Sequence, residues 1–296
     1  MNHSAGDHSS ELLSDDVLGR IDTATTLLEN RRIAVLTGAG ISVDSGIPAY
    51  RGAGGVARTP MTAQMFLADE ASRRRYWLGG HLGWRVFGSV RPNDAHRALV
   101  DMERNGLVGG VITQNVDSLH LRAGSNRVIE LHGTMHRVYC LDCGQVFARE
   151  AIGQQIVHQN PWVESPEDVP LGPDGDVVPE ATDRFIVPTC TVCGGMLRPD
   201  IVYFGETVPV PRFRMAELVM STSDALVVAG TSLVVNSGVR IIERARRRGI
   251  PIIIVNHEPT RADAWSAVTI PAGTGLVLPE LAKRLPGMAG RPEKAG

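Results

Sequence analysis

The apolar run Ile33-Ala34-Val35-Leu36 stops at Thr37-Gly38-Ala39-Gly40-Ile41-Ser42. A short apolar run that ends in Gly-x-Gly reads as a buried parallel strand turning towards a helix, with backbone N–H groups left to hold a phosphate. The usual dinucleotide fingerprint has a third glycine three residues after the second; here that place is Val43, and the next glycine is Gly46. On these residues alone the turn is either a nucleotide cradle of unusual spacing or a tight strand-to-helix connection with no ligand.

The length of 296 residues suggests about two domains, and 43% apolar residues suits a chain that buries a sizeable core. A formal charge of −2 gives no reason to expect nucleic acid, and runs such as 225–229 and 250–255 are too short to span a bilayer. Residues 1–10 are polar and carry no apolar core of a signal peptide, so the expected address is the cytoplasm. This stretch and 286–296 are expected to be disordered tails.

Ser14-Asp15-Asp16 supplies an N-cap and first-turn acids for a helix whose apolar face is Val17, Ile21, Ala24, Leu27 and Leu28. Residues 53–91 mix glycine, arginine and bulky apolar side chains without a strand pattern, which predicts short helices and a mobile loop. Pro92-Asn93-Asp94 opens a helix that Gly106 ends, and Val108 to Thr113 is the next strand. That strand runs into Gln114-Asn115-Val116-Asp117, and Val128-Ile129-Glu130-Leu131 runs into His132-Gly133. Two later apolar runs end in Gly230-Thr231-Ser232 and in Asn256, with a helix from Ser237 to Arg248 between them. Ligands of open α/β sheets bind outside the carboxyl ends of the strands, so these polar clusters are expected to face one crevice. Asn115 and Asp117 alone could also be turn formers, a common use of both residues.

All four cysteines stand as Cys140-x-x-Cys143 and Cys190-x-x-Cys193, each pair followed by glycine. Two such knuckles offer four thiolates to a tetrahedral ion, which suits structural zinc; two disulfides or a redox pair are the other readings. Between the pairs lie 46 residues, longer than the usual ribbon separation, and the Pro-, Asp- and Gly-rich stretch 161–188 is the expected insertion.

Taken in order, Gly38-Ala39-Gly40-Ile41-Ser42, Ser45-Gly46-Ile47-Pro48, Tyr50-Arg51, Thr113-Gln114-Asn115-Val116-Asp117, His132-Gly133, the cysteine pairs, Phe204-Gly205-Glu206 and Gly230-Thr231-Ser232 resemble the sirtuin family over about 33–280. Arg75-Tyr76-Trp77, Cys140-Leu141-Asp142-Cys143-Gly144 and Pro173-Asp174-Gly175-Asp176 look most like its class II, sirtuin-4-like branch. The resemblance implies an α/β fold: a Rossmann-like parallel-sheet domain from 11–52, 92–135 and 201–285, with a smaller domain. The small domain would combine a helical module with the cofactor loop, 53–91, and a zinc-binding module, 136–200.

The implied function is NAD-dependent deacylation of lysine in proteins or peptides, with nicotinamide released and the acyl group passed to ADP-ribose. Protein mono-ADP-ribosylation from the same NAD site is the alternative, and a silent NAD-sensing module is a third. NAD is consumed as co-substrate, and one structural zinc sits on Cys140, Cys143, Cys190 and Cys193. By resemblance, Gly38, Ala39, Gly40 and Ser42 approach the diphosphate, and Ile47, Pro48, Tyr50 and Arg51 belong to the loop that closes on NAD. Gln114, Asn115 and Asp117 line the ribose and nicotinamide pocket, while Gly230, Thr231, Ser232, Asn256 and Thr274 line the adenosine side. His132 is the base, with Asn115 and Asp117 beside it; its ordinary pKa of about 6.5 lets it take a proton from a ribose hydroxyl. Val202, Phe204, Gly205 and Glu206 on one side and Val234 on the other grip the substrate backbone by strand addition. Two departures stand out. Ala49 replaces the family's usual aspartate, and the Tyr-x-x-Arg pair that holds acidic acyl groups is not evident, so neutral acyl chains are expected.

Overall fold

The computed structural model describes residues 13–50, 60–163, 170–179 and 182–287. Helix α1 (Asp15–Leu28) begins where Ser14 accepts the Val17 N–H at 3.4 Å, and it buries Val17, Ile21, Ala24 and Leu28 as its periodicity requires. Strand β1 (Ile33–Thr37) is buried throughout and runs into a 3-10 helix over Ala39–Ser45. Gly46 ends that helix at φ +91°, so the late glycine serves as a left-handed stop.

Next come α2 (Ala63–Ala68), α3 (Glu70–Ser89), α4 (Asp94–Arg104), β2 (Val108–Thr113), α5 (Leu119–Ala123) and β3 (Val128–Glu130). Strands β4 (Gly133–Cys140) and β5 (Val146–Ala148), helix α6 (Arg149–Gln159) and strand β6 (Leu197–Ile201) follow. The chain then forms α7 (Val210–Ser221), β7 (Ala225–Ala229), α8 (Asn236–Arg247), β8 (Ile252–Val255), β9 (Val268–Ile270) and α9 (Thr274–Arg284).

Six parallel strands make the main sheet, in the order β3-β2-β1-β7-β8-β9. Successive strands step outward from β1 in one direction up to β3, and β7 to β9 step the other way. The order therefore reverses between β1 and β7, and a crevice opens at their carboxyl ends, where Thr37 pairs with Ala229. Both faces of β1 are covered: Ile33 and Val35 pack with α1, α4 and α9, whereas Ala34 and Leu36 pack with α7 and α8. Burying each such large aliphatic side chain contributes about 1.5–3 kcal/mol, which is why the run is apolar at every position.

A second, antiparallel sheet has the order β5-β4-β6. Its core gathers Phe66, Trp77 and Phe87 from the helices with Val138, Ile152 and Ile156, and Ile47, Val116 and Tyr203 join from the main body. The stretch 53–91, expected to hold only short helices, carries the 20-residue α3. Asp69 starts that helix by accepting the Ala71 and Ser72 N–H groups at 3.2 and 2.8 Å, and Gly79 and Gly83 are used to seat a loop rather than to break it. Of the expected mobile loop, 53–59, and of the expected tails, 1–10 and 288–296, lie outside the described residues.

Candidate active site

The β1 turn and the β7 turn meet backbone to backbone. Gly40 N–H donates to the Gly230 carbonyl at 2.8 Å. A Cβ at Gly230 would lie 2.3 Å from Ile41 N, one at Gly40 2.8 Å from Gly230 Cα, and one at Gly38 2.6 Å from Thr231 Cβ. Three glycines are thus required for contact between the turns, and the same contact leaves a bare floor. The cleft above it, about 2120 Å³, is lined by Gly38, Ala39, Gly40, Ser42, Gln114, Asn115, Asp117, His132, Gly230, Thr231, Ser232, Asn256 and Thr274. Ile47 and Tyr50 line it too; Pro48 does not, and Arg51 lies outside the described residues.

Behind the floor is a buried polar chain. Asn115 Nδ2 donates to Ser42 Oγ at 3.1 Å, and that hydroxyl donates to Asp117 Oδ2 at 2.7 Å. Asp117 Oδ1 accepts the Leu119 N–H at 2.9 Å. Burial raises the Asp117 pKa, while the bonds from Leu119, Ser42 and Asn115 pull it back. These bonds tie the ends of β1 and β2 together, as does the buried pair Thr37 Oγ1 and His120 Nε2 at 2.9 Å.

His132 is held from both sides. Its Nδ1 lies 3.0 Å from the Gln114 carbonyl oxygen and its Nε2 2.8 Å from Ser237 Oγ. A carbonyl only accepts, so Nδ1 carries the proton and Nε2 carries the lone pair. Burial lowers the His132 pKa to about 4, and the ring is neutral at pH 7. Gln114 is itself fixed, because Thr231 Oγ1 donates to its side-chain oxygen at 2.8 Å.

The far wall is apolar and backbone-rich. Phe204, Val234 and Val235 are exposed there, and Tyr50 meets Phe204 edge to face at 6.0 Å between ring centroids. Val202, Phe204, Gly205, Glu206 and Val234 all line the cleft. Taken alone 202–206 and 233–235 read as core strands; instead both lie outside the named strands, with a turn closed by Glu206 N–H on Tyr203 O at 3.1 Å, Gly205 at φ +85° and Leu233 at φ +57°. The Glu206 carboxylate is occupied within the chain, accepting Arg198 Nη1 at 2.8 Å and the Tyr203 N–H at 2.8 Å. Asp174, marked in the sequence within Pro173-Asp174-Gly175-Asp176 but given no site role there, lines the cleft from the long insertion and accepts a hydrogen bond from the Tyr50 hydroxyl.

The four cysteines lie away from the cleft lining. Their Sγ atoms fall within 4.8 Å of one another, with Cys140 and Cys193 3.5 Å apart and Cys143 and Cys190 3.7 Å apart. Those separations are far beyond a disulfide's ~2.05 Å and close to the ~3.8 Å edge of a tetrahedron with Zn–S bonds of ~2.3 Å. The knuckles match: Gly144 N–H donates to Cys140 O at 3.0 Å, and Gly194 N–H to Cys190 O at 2.8 Å. The donor set suits one zinc ion and leaves it no open position.

A doubly wound parallel sheet with a glycine floor at its switch point defines the class of Rossmann-like nucleotide-binding proteins. The chain belongs to the Sir2 family, whose profile matches residues 38–237. It is similar to NAD-dependent protein deacetylase 1 of Mycobacterium avium (strain 104), 48% identical over 263 residues, 88% of this chain and 93% of the relative. It is also 44% identical over 258 residues to the mitochondrial NAD-dependent protein lipoamidase sirtuin-4 of Bos taurus, covering 84% of this chain and 81% of that one. Among solved structures, a complex described as Sir2-p53 peptide-NAD+ has a TM-score of 0.68 and 28% identity, covering 92% of this chain and 97% of its own.

Proposed function

We propose that this chain is an NAD-dependent protein-lysine deacylase that consumes NAD, releases nicotinamide and passes the acyl group to ADP-ribose. The carrying observation is that the glycine floor and the neutral, lone-pair-bearing Nε2 side of His132 belong to one cleft. In this reading Gly38, Ala39, Gly40 and Ser42 admit the diphosphate, with Ile47, Pro48, Tyr50 and Arg51 on the loop side. Gly230, Thr231, Ser232, Asn256 and Thr274 receive the adenosine half, while Gln114, Asn115 and Asp117 receive the other ribose and the nicotinamide. His132 accepts a proton from a ribose hydroxyl at Nε2, which a neutral imidazole can do and an imidazolium cannot. Val202, Phe204, Gly205 and Val234 hold the peptide, and Glu206 braces that wall through Arg198. Cys140, Cys143, Cys190 and Cys193 hold zinc as a structural ion.

The same reading divides the chain into a Rossmann-like body (11–52, 92–135 and 201–285), a helical module (53–91) and a zinc-binding module (136–200); the two separate sheets support it. Among the described residues no helix is long and apolar enough to cross a membrane. Thiols unpaired in disulfides suit a reducing compartment, and we take it to be the cytoplasm. The test is to incubate the protein with an acetyl-lysine peptide and analyse the products by mass spectrometry with and without NAD. Deacylated peptide and O-acyl-ADP-ribose appearing only with NAD support the reading; ADP-ribose attached to protein, with the acyl group left on lysine, would replace it with the transferase alternative.

A further inference from the structure

Ser237 lies in the first turn of α8, where the following residue, Gly238, has no side chain. A Cβ at Gly238 would stand 2.9 Å from Gln114 Nε2, so the glycine lets the helix start pack directly on the Gln114 amide. This closes a frame around the imidazole. The Gln114 main-chain carbonyl accepts the hydrogen bond of Nδ1–H at 3.0 Å, Thr231 fixes the Gln114 side chain at 2.8 Å, and Ser237 Oγ reaches Nε2 at 2.8 Å. Since Nε2 carries the lone pair, the Ser237 hydroxyl donates to it. Ser237 and His132 both line the cleft, so the hydroxyl occupies the position that a substrate hydroxyl must take to be deprotonated.

We propose that Ser237 is a positioning residue for the reaction: its hydroxyl holds the His132 ring with Nε2 facing the cleft, and the incoming ribose hydroxyl displaces it. This inference rests on the reading of His132 as the base. With only Gln114 left, the ring would keep its tautomer and lose one of its two anchors, so that the competent orientation is populated less often. The loss falls on turnover and not on the cofactor, whose floor is built from Gly38, Gly40 and Gly230.

The test uses Ser237→Ala, Ser237→Thr and the double variant His132→Ala/Ser237→Ala, each shown by circular dichroism and metal content to be folded. Ser237→Ala should lower kcat/KM about tenfold through kcat, with the Kd for NAD unchanged. Ser237→Thr, which restores the hydroxyl, should recover to within about threefold of wild type. On the His132→Ala background the serine substitution should have no further effect, since its role runs through the ring. Nitrogen NMR of histidine-labelled protein should show the Nε2 resonance moving towards its unbonded position in Ser237→Ala. Wild-type kcat/KM in Ser237→Ala, an equal loss on both backgrounds, a Kd for NAD that worsens in step with kcat, or an unmoved Nε2 resonance would each overturn the proposal. A wild-type protein that performs no NAD-dependent deacylation defeats the deacylase reading and this role with it, whereas deacylation indifferent to Ser237→Ala defeats this role alone.

Discussion

Burial lowers the His132 pKa to about 4, against the pull of the Gln114 carbonyl and with the Arg212 guanidinium adding to the fall. The neutral ring, the form that the proposed mechanism uses, therefore persists on acidification, and the acid limb of kcat/KM should lie well below the ordinary 6.5. A limb at or above 6.5 would contradict this environment. Folding carries the same sign. Burial also lowers His81 and His96 to about 4, so these three rings contribute stability that is complete above pH 6.5 and lost as pH falls through about 4. Asp174, raised to about 6 by burial, acts the other way, adding stability as pH falls below 6. Burial also lowers His120 and His136 and raises Asp117 and Glu130, so five rings stand against three carboxylates and should leave a net fall in Tm between pH 6.5 and 4, measurable by calorimetry. At Gly230 an added Cβ would meet Ile41 N at 2.3 Å in a residue with φ +64°. Gly230→Ala should therefore cost more than ~2 kcal/mol and weaken NAD binding, which denaturant melts and a cofactor titration would show. The glycines and His132 were legible because each stands in a compact motif at a strand end. Ser237 was not, because its partner is 105 residues away and nothing local in Asn236-Ser237-Gly238 marks a histidine contact.

Elements show where local reading stops. Strands β1, β2, β3, β7 and β8 and helices α1, α4 and α8 were legible from apolar runs and from caps such as Ser14 and Gly106, whereas β9, α7 and α9 were not read. Helix α3 was obscured by Gly79, Gly80 and Gly83, since glycine inside a helix costs about 1 kcal/mol relative to alanine. The compensation is tertiary: a Cβ at Gly79 would lie 2.3 Å from Val177 O, and one at Gly83 2.0 Å from Gly175 O. The bare face seats the loop 172–179, and the Val177 N–H donates to Gly79 O at 3.1 Å. That docking delivers Asp174 to Tyr50, a contact that composition alone does not announce. The cysteine knuckles are the opposite case, because spacing fixed their pairing in space. Metal analysis of protein purified without added zinc should find about one zinc per chain. Cys143→Ser should lose the ion and melt at a lower temperature, since metal binding and folding are coupled. A metal-replete, equally stable Cys143→Ser protein would remove the zinc assignment.

At the scale of the whole molecule we expect the charge of the cleft to bear on the acyl preference. Arg73 is occupied by the Phe66 and Leu67 carbonyls, each at 2.9 Å, and Arg74 by Glu70 and the Asp183 carbonyl. Arg75 lines the cleft with Arg91, Arg97 and Arg240, but so do Asp44, Asp94, Asp117, Asp174, Asp176, Glu206 and Glu258, and the acids outnumber the arginines. In a cleft with that excess of acids we expect an acidic acyl group to carry a desolvation cost of several kcal/mol, of which ~3 kcal/mol is on the order of a hundredfold in kcat/KM. Acetyl and longer neutral acyl groups on one peptide should therefore outperform succinyl and malonyl, and Arg75→Gln should leave that order intact. A preference for succinyl, lost in Arg75→Gln, would make Arg75 the carboxylate ligand. The central claim is that one cleft separates two tasks, with backbone and strand-end groups holding NAD and His132 moving the proton. Its most direct test is a paired measurement on wild type and His132→Ala: calorimetric titration with NAD, and kcat/KM for an acetyl-lysine peptide. The account predicts an NAD affinity within about threefold of wild type and a fall in kcat/KM of about 10² or more. Wild-type turnover in His132→Ala would contradict it.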